Sequence, residues 1–249
     1  MNRIILFSFL LITTPAFTQQ FITAGKLTFE RKVAQVSLME NLYENGGADN
    51  IWITEMKKVF PRIVTDSYSL EFNNNTTLFK VEKENSDNKY MLTGLKPSDQ
   101  NYVYQDFNQN ITTMSKGLFE NEYLVKDSLR QFQWKITGEV RDIAGFECKK
   151  ALTKINDSVV VVAFYTDQII VKGGPENFNG LPGMILGLAV PRLSLTLFAT
   201  KLELTSPIMN VRLPLKPKYV KHSQILQDVE KGLKTWGKEA KAIAWVTNL

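Results

Sequence analysis

The sequence of 249 residues contains one cysteine and one histidine, and their scarcity excludes several kinds of site. Cys148 has no second cysteine with which to form an internal disulfide, so an exported domain of this sequence must be stabilised by its core. His222 is the one histidine, and no cluster of histidines or cysteines has a spacing that binds zinc, copper or haem. Any Ser-His-Asp or Cys-His site would have to be built around His222. The sequence therefore predicts no metal and no cofactor.

The sequence also lacks a nucleotide-binding glycine motif and a strong charge of one sign. Neither Gly-x-Gly-x-x-Gly after a strand nor a Walker loop is present. The formal net charge of +5 is an ordinary excess for a soluble protein and is far from the basic surface of a nucleic-acid-binding domain. We expect no nucleic-acid partner.

Long hydrophobic runs are missing except at the N-terminus, which has the features of a secretory signal peptide. Arg3 supplies a positive charge, residues 4–12 form an apolar segment, and Ala16-Phe-Thr18 has the small-x-small pattern that precedes a cleavage site. The apolar segment is too short to cross a bilayer, which takes about 20 residues. We expect residues 1–18 to be removed and residues 19–249 to form a single domain without a transmembrane segment. The expected location is periplasmic or secreted.

Most of the remaining chain alternates apolar and polar residues, which predicts antiparallel strands joined by polar turns. The predicted strands are residues 26–33, 66–72, 77–84, 101–107, 111–116, 119–127, 132–140, 147–155, 159–166, 184–188 and 192–204. Residues 159–166 are almost continuously apolar, which predicts a central strand covered on both faces. Turns are expected at 73–75, 108–110 and 156–157, and a polar loop at 85–100.

Two segments have helical periodicity instead. Residues 50–60 place Trp52, Met56 and Val59 at helical spacing and end before a proline. Residues 222–245 have an apolar face and many lysines elsewhere, after a proline-rich stretch within 206–218. We expect both helices to dock on the sheet, although the second could instead lie on an anionic membrane. The expected fold is α+β and mainly β: a bent antiparallel sheet, half-barrel-like, with a helix in its N-terminal half and an amphipathic helix at its C-terminal end.

Five glycines and two prolines are concentrated in residues 172–188, between two strongly apolar segments. Glycine adopts positive φ without a clash and proline fixes φ, so this composition specifies one backbone path. Pro182 and Gly183 suit a type II turn, and Gly180 allows a neighbouring strand to approach. Side chains such as that of Leu181 cannot transfer a proton. We therefore expect a structural corner without a catalytic residue.

The core of this segment, Gly180-Leu-Pro-Gly-Met-Ile185, resembles the signature of the GLPGLI family of exported bacterial proteins. Further blocks at 25–30, 134–138, 145–151, 164–166 and 174–175 resemble the same family, so that the resemblance covers nearly all of residues 19–249. It implies a cell-envelope protein of Bacteroidetes-type bacteria, with an outer-membrane receptor or another envelope protein as partner. It supplies no catalytic residue. The residues expected to form a binding or structural motif are Gly180, Leu181, Pro182, Gly183, Met184, Ile185, Gly174, Pro175, Tyr165, Trp134, Gly145 and Cys148.

Two classes of function remain open. The first is a non-catalytic binding or carrier protein for an apolar small ligand or an envelope partner, linked through the resemblance to outer-membrane nutrient uptake. The second is a carboxylate-dependent hydrolase, for which Asp142, Asp167 and Glu176 are candidate acids near turns. Carboxylates that converge beside residues 180–183 would favour the hydrolase, and an apolar groove would favour binding. We expect the binding protein, with Cys148 as a small buried hydrophobe.

Overall fold

The computed structural model describes residues 21–43, 51–83, 101–118, 121–155, 159–207, 209, 218–234 and 238–249. The predicted signal peptide, the polar loop at 85–100, the turn at 156–157 and most of the proline-rich stretch lie outside the described residues. Within the described residues, no helix combines the length and the apolar character needed to cross a bilayer.

One large sheet contains the strands of the described residues. They are β1 (Ala24–Ala34), β2 (Ile63–Asn73), β3 (Thr76–Lys83), β4 (Tyr102–Asp106), β5 (Ile111–Leu118), β6 (Asn121–Ser128), β7 (Lys135–Ile143), β8 (Phe146–Ile155), β9 (Val159–Thr166), β10 (Met184–Val190), β11 (Leu195–Glu203) and β12 (Tyr219–Val220). Their order across the sheet is β12-β6-β5-β4-β3-β2-β1-β11-β10-β9-β8-β7. Neighbouring strands are antiparallel, except that β12 runs parallel to β6. The mainly β architecture is thus confirmed, and each predicted strand overlaps one of β1–β11.

Three details of the predicted sheet differ from the structure. The half-barrel shape is not confirmed, because the strands form a large open sheet with β7 and β12 at its edges. The prediction that β9 is central and covered on both faces is wrong: it is third from an edge, and Val160 is 38% exposed. A run of β-branched residues indicates that a segment forms a strand. It does not by itself indicate that both faces of that strand are buried. The two-residue strand β12 is too short to leave a periodic signal.

The helices are α1 (Gln35–Tyr43), α2 (Ile51–Val59), α3 (His222–Gly232) and α4 (Lys238–Thr247). Helix α2 forms where predicted, but its placement against the sheet is not confirmed, since Val59 is 61% exposed. The single C-terminal helix that we predicted is two helices, the first of which ends at Gly232. Glycine is a weak helix former, which favours an end at this point. Ile225 and Val229 on α3 are buried.

The sheet has one face that carries most of the core, which we call the covered face. On β1 it presents Leu27, Phe29 and Val33, which alternate with exposed or half-buried residues. The register of β1 with β2 places Leu27 opposite Leu70 and Phe29 opposite Tyr68, so apolar side chains continue across the strands. Cross-strand pairs of this kind contribute to the stability of the sheet.

Candidate functional site

A small cavity lies on the covered face, beside strands β1–β5 and the last residues of α4. Its lining includes Arg31, Tyr68, Lys116, Glu176 and Leu249. Its volume is about 60 Å³, which is room for a few water molecules. Ligand pockets usually measure about 300–1,000 Å³. The cavity as it stands is therefore too small to hold a substrate such as a sugar ring.

A buried ion pair borders this cavity. Arg31 on β1 lies opposite Asp66 on β2, and the guanidinium Nη2 is 3.0 Å from Oδ2 of the carboxylate. The two side chains are only 6% and 0% exposed. The guanidinium also lies 5.4 Å above the ring of Tyr68, which stacks on Phe79 at a centroid distance of 5.0 Å. The ion pair of Arg31 and Asp66 and the rings of Tyr68 and Phe79 thus pack together across β1, β2 and β3.

The surroundings of Arg31 keep it charged in spite of its burial. Burial by itself lowers the pKa of Arg31, because it disfavours the charged form. Tyr68, Asp66 and Glu176 outweigh this effect and raise the pKa of Arg31 above its ordinary value. Glu176 reaches the cavity from the segment between β9 and β10, where its φ of 55° places it in the left-handed region. A residue other than glycine seldom adopts that conformation unless the surrounding structure holds it there.

Lys116 on β5 binds the end of the last helix. Its Nζ donates to the carbonyl of Thr247 at 2.9 Å and to that of Val246 at 3.4 Å. Burial and the nearby charge of Arg130 lower the pKa of Lys116, and Glu176 acts in the opposite direction. The last carbonyls of a helix have no partner within the helix, so a cation placed there stabilises its end. This lysine is therefore engaged in holding α4.

Arg130 and His222 continue this contact. Arg130 donates to the carbonyl of Asn248, and Nε2 of His222 lies 3.3 Å from the Asn248 side-chain oxygen. Burial, followed by the charges of Lys116 and Arg130, lowers the pKa of His222, so the imidazole is neutral at pH 7. The chain's one histidine thus serves to dock α4, and no nucleophile is placed against it among the hydrogen bonds of the described residues.

The glycine-proline segment is anchored to the covered face by buried amides. Nε2 of Gln105 on β4 donates to the backbone carbonyl and to the side-chain oxygen of Asn177, at 3.3 and 3.2 Å. The hydroxyl of Thr112 on β5 donates to the same side-chain oxygen at 3.4 Å. Each of these polar groups is buried, so the bonds offset the cost of removing them from water.

An aromatic cluster holds the other side of the segment. Nε1 of Trp134 donates to the carbonyl of Asn179 at 2.8 Å. Phe178 is fully buried, and its ring centroid lies 4.9 Å from that of Phe132. These contacts keep residues 129–134 out of the sheet, which explains why β7 begins three residues later than predicted.

The turn geometry predicted at Gly180 and Gly183 is different in the structure. Gly183 has a φ of 144°, and its N–H donates to the carbonyl of Leu181 at 2.8 Å, so it is not the third residue of a type II turn. Gly180 has a φ of 89°, and a Cβ added there would lie 4.0 Å from the nearest atom, Nε1 of Trp134. The role of glycine at position 180 is therefore to adopt a positive φ, and not to let a neighbouring strand approach closely. Close approach occurs instead at Gly173, Gly174, Gly183 and Gly187, where an added Cβ would lie within 3 Å of a neighbouring atom.

The other predicted motif residues differ in exposure, and some of them are neighbours, since Ile185 pairs with Tyr165 and lies against Gly174. Leu181, Met184, Ile185, Tyr165, Cys148, Gly174 and Pro175 are buried, Pro182 and Gly145 are exposed, and Trp134 is half-buried. Of the three candidate acids, Glu176 lines the cavity, Asp167 forms an exposed ion pair with Lys149, and Asp142 is exposed. A pair of carboxylates on either side of a scissile bond, as glycosidases use, is not found in this cavity's lining.

The sequence reasoning missed Arg31, Tyr68 and Lys116, which line the cavity, and Asp66, which pairs with Arg31. A signal for the first was present, because Arg31 falls in the inward alternation of Leu27, Phe29 and Val33. Across the part of the chain that the structure describes, no three His, Cys, Asp or Glu side chains are grouped closely enough to hold a metal ion.

We expect Cys148 to be unreactive in the folded protein. Burial, aided by Asp142, raises the pKa of its thiol to about 12. Only the thiolate reacts with alkylating agents, so labelling by iodoacetamide at pH 8 should be at least about a hundredfold slower than in urea-unfolded protein. The measurement is the rate of mass increase under both conditions. Equal rates in the two states would contradict this prediction.

Comparisons with known proteins give one family and one fold. The family model described as N-glycanase peptide, N-terminal domain (PNGase F-II) matches residues 65–219, more than half of the chain. Two structures of PNGF-II, in the C2 and P21 space groups, resemble this one with a TM-score of 0.52 each, at 16% and 18% sequence identity. The alignments cover 90% and 87% of this chain but 33% and 34% of theirs. A comparison with curated protein sequences finds no match.

The family predicted from the Gly180-Leu-Pro-Gly motif is therefore wrong. That motif lies inside the region matched by the N-glycanase N-terminal domain. Its glycines and prolines serve a local backbone path, with positive φ at Gly180 and Gly183, and such a requirement can arise in unrelated families. The envelope partner and the link to nutrient uptake were implied by that resemblance. They are therefore no longer supported by it.

Proposed function

Because the chain belongs to the family of PNGase F-II N-terminal domains, we propose that it is a non-catalytic domain that binds N-glycans on proteins or peptides. The family match is the observation that carries this proposal. The chain spans about a third of the length of the PNGF-II structures that it matches. The N-glycanase activity in the family's description is therefore not transferred to it, and what we carry over is the class of ligand.

The geometry of the covered face supports binding over catalysis. The cavity of about 60 Å³ has no room for a sugar ring, and its cations are engaged: Arg31 with Asp66, Lys80 with Glu71, and Lys116 with the end of α4. A glycan would accordingly bind on an open surface of the sheet. This proposal replaces the apolar ligand expected from the sequence with a polar one.

Export is a further part of the proposal. Its support is the N-terminal pattern of Arg3, the apolar residues 4–12 and Ala16-Phe-Thr18. N-glycosylated proteins lie outside the cytoplasm, so an exported binding domain would meet them there.

The test compares one glycoprotein in two forms. The chain is titrated, by surface plasmon resonance, against a protein that carries high-mannose N-glycans and against the same protein after its glycans have been removed. We expect saturable binding to the first form only. Equal binding to both forms, or binding to neither, would refute the proposal.

The same mixtures separate binding from hydrolysis. After incubation, mass spectrometry of the glycoprotein should find its glycans intact. Loss of sugar mass in proportion to the amount of added chain would instead establish the carboxylate-dependent hydrolase that the sequence left open.

A further inference from the structure

An open groove lies near the β12 edge of the sheet, where the start of β5, the end of β6 and strand β12 come together. Its lining includes Asn110, Lys126, Asp127, Ser128, Tyr219 and Lys221. Its volume is about 480 Å³, within the range of about 300–1,000 Å³ that is typical of ligand sites. The groove exists because Tyr219 and Val220 pair in parallel with Leu124 and Val125, which fixes the tyrosine at the rim of the sheet.

Tyr219 supplies an aromatic surface in this groove. Its side chain is among the exposed large hydrophobic ones, at 37% exposure, and Nζ of Lys126 lies 5.9 Å from the ring centroid. A tyrosine has an apolar ring face and a polar hydroxyl. One face of a sugar ring is mostly C–H groups and its rim is hydroxyls, so the two surfaces match in polarity.

Asp127 supplies a fixed hydrogen-bond acceptor beside the ring. Its carboxylate accepts bonds from Nζ of Lys221 at 3.1 Å and from the backbone N–H groups of Ser128 and His222 at 2.9 and 3.2 Å. Burial acts to raise the pKa of Asp127, but these hydrogen bonds outweigh it and lower that pKa. An ionised carboxylate accepts only, and held in place it can receive sugar hydroxyls with little ordering cost.

Asn110 also lines the groove, and it is the residue of this lining that carries a carboxamide. It adopts a φ of 56° in the turn between β4 and β5, and its carbonyl accepts the N–H of Leu129 at 3.2 Å. This bond holds the backbone of Asn110, which is one of the residues that line the groove. A carboxamide both donates and accepts, which suits a hydroxyl or an N-acetyl group.

A second open groove, of about 540 Å³, lacks this chemistry. It lies at the start of β1 and the end of β11 and is lined by Phe21, Ile22, Thr23, Ala24, Leu204, Thr205 and Ser206. It has an exposed aromatic ring, Phe21 at 54%, but no carboxylate, carboxamide or ammonium group. It therefore provides a matched control for the effect of an exposed ring alone.

We propose that the groove of Tyr219, Asn110 and Asp127 is the site where the N-glycan binds, with a sugar ring stacked on Tyr219. The inference rests on the proposed function and adds the location and the recognising groups. The ligand class is an uncharged, hydroxyl-rich saccharide that presents an apolar ring face.

The test repeats the glycoprotein titration with four variants of the full chain. Tyr219→Ala should weaken binding at least about tenfold, and Tyr219→Phe should keep most of it because the ring face remains. Asn110→Gly removes the carboxamide while allowing the same positive φ, and should weaken binding severalfold. Phe21→Ala in the second groove should bind as the unaltered chain does.

The outcomes separate this inference from the function on which it rests. If the unaltered chain binds the glycosylated form and both Tyr219→Ala and Asn110→Gly bind equally well, the groove is not the site, although the proposed function stands. If the unaltered chain does not bind, both proposals are overturned. If Tyr219→Ala lowers the melting temperature, Asn110→Gly decides: weaker binding supports the groove, and unchanged binding overturns it.

Discussion

Gly183→Ala is expected to lower the free energy of unfolding by more than about 3 kcal/mol. A Cβ added at this position would lie 2.0 Å from the carbonyl oxygen of Thr166 and 2.9 Å from Cα of Asp167. Both atoms belong to the backbone at the end of β9, which is paired with β10 through Met184, so neither can rotate aside. The φ of 144° adds conformational strain for any residue with a side chain.

Substitutions at two other glycines distinguish the cost of the steric clash from the cost of the positive φ. Gly145 also has a positive φ, of 85°, but an added Cβ would meet nothing within 4 Å, so Gly145→Ala should cost about 1 kcal/mol. Gly138 also has open space around it and no positive φ, so Gly138→Ala should be close to neutral. Urea unfolding followed by tryptophan fluorescence measures all three. A cost for Gly183→Ala no larger than that for Gly145→Ala would show that the backbone can move away from the clash.

Local patterns predicted strands such as β1 because they have one buried face. On β1, the alternation of Leu27, Phe29 and Val33 is visible in the sequence, and the turn at 73–75 was found from asparagines, of which Asn74 has a φ of 52°. The order of the strands was not predictable in the same way. Strand β1 lies between β2 and β11, and the pairing with β11 joins segments at opposite ends of the chain. Nothing within either segment specifies that neighbour.

The residues around the cavity were predictable only in part. Arg31 interrupts an inward apolar alternation, and a charge in that position requires a buried partner. That partner, Asp66, follows only from the register of β1 with β2. The position of Glu176 depends on the path of an irregular segment across the covered face, which glycines and prolines indicate but do not define. The groove at Tyr219 depends on a two-residue strand and had no signal at all.

Asp66→Ala is expected to lower the free energy of unfolding by about 3–5 kcal/mol. The change removes the carboxylate at 3.0 Å from the guanidinium of Arg31, and both side chains are almost wholly buried. The buried cation would be left above the ring of Tyr68 without the carboxylate that pairs with it. Asp167→Ala is the matched control, because its ion pair with Lys149 is exposed and should contribute about 0–1 kcal/mol.

Replacing both charged residues should restore much of that stability. In Arg31→Met with Asp66→Leu, neither a charge nor a buried donor of the pair remains, and the new side chains can pack against Tyr68 and the core of β1 and β2. Buried pairs exchanged for apolar residues of similar volume are often neutral or more stable, since the cost of removing two charges from water disappears. The double variant should therefore unfold at a higher urea concentration than Asp66→Ala alone. If it is less stable than Asp66→Ala, the packing of Arg31 on Tyr68 and its attraction to Glu176 contribute more to the fold than its pairing with Asp66.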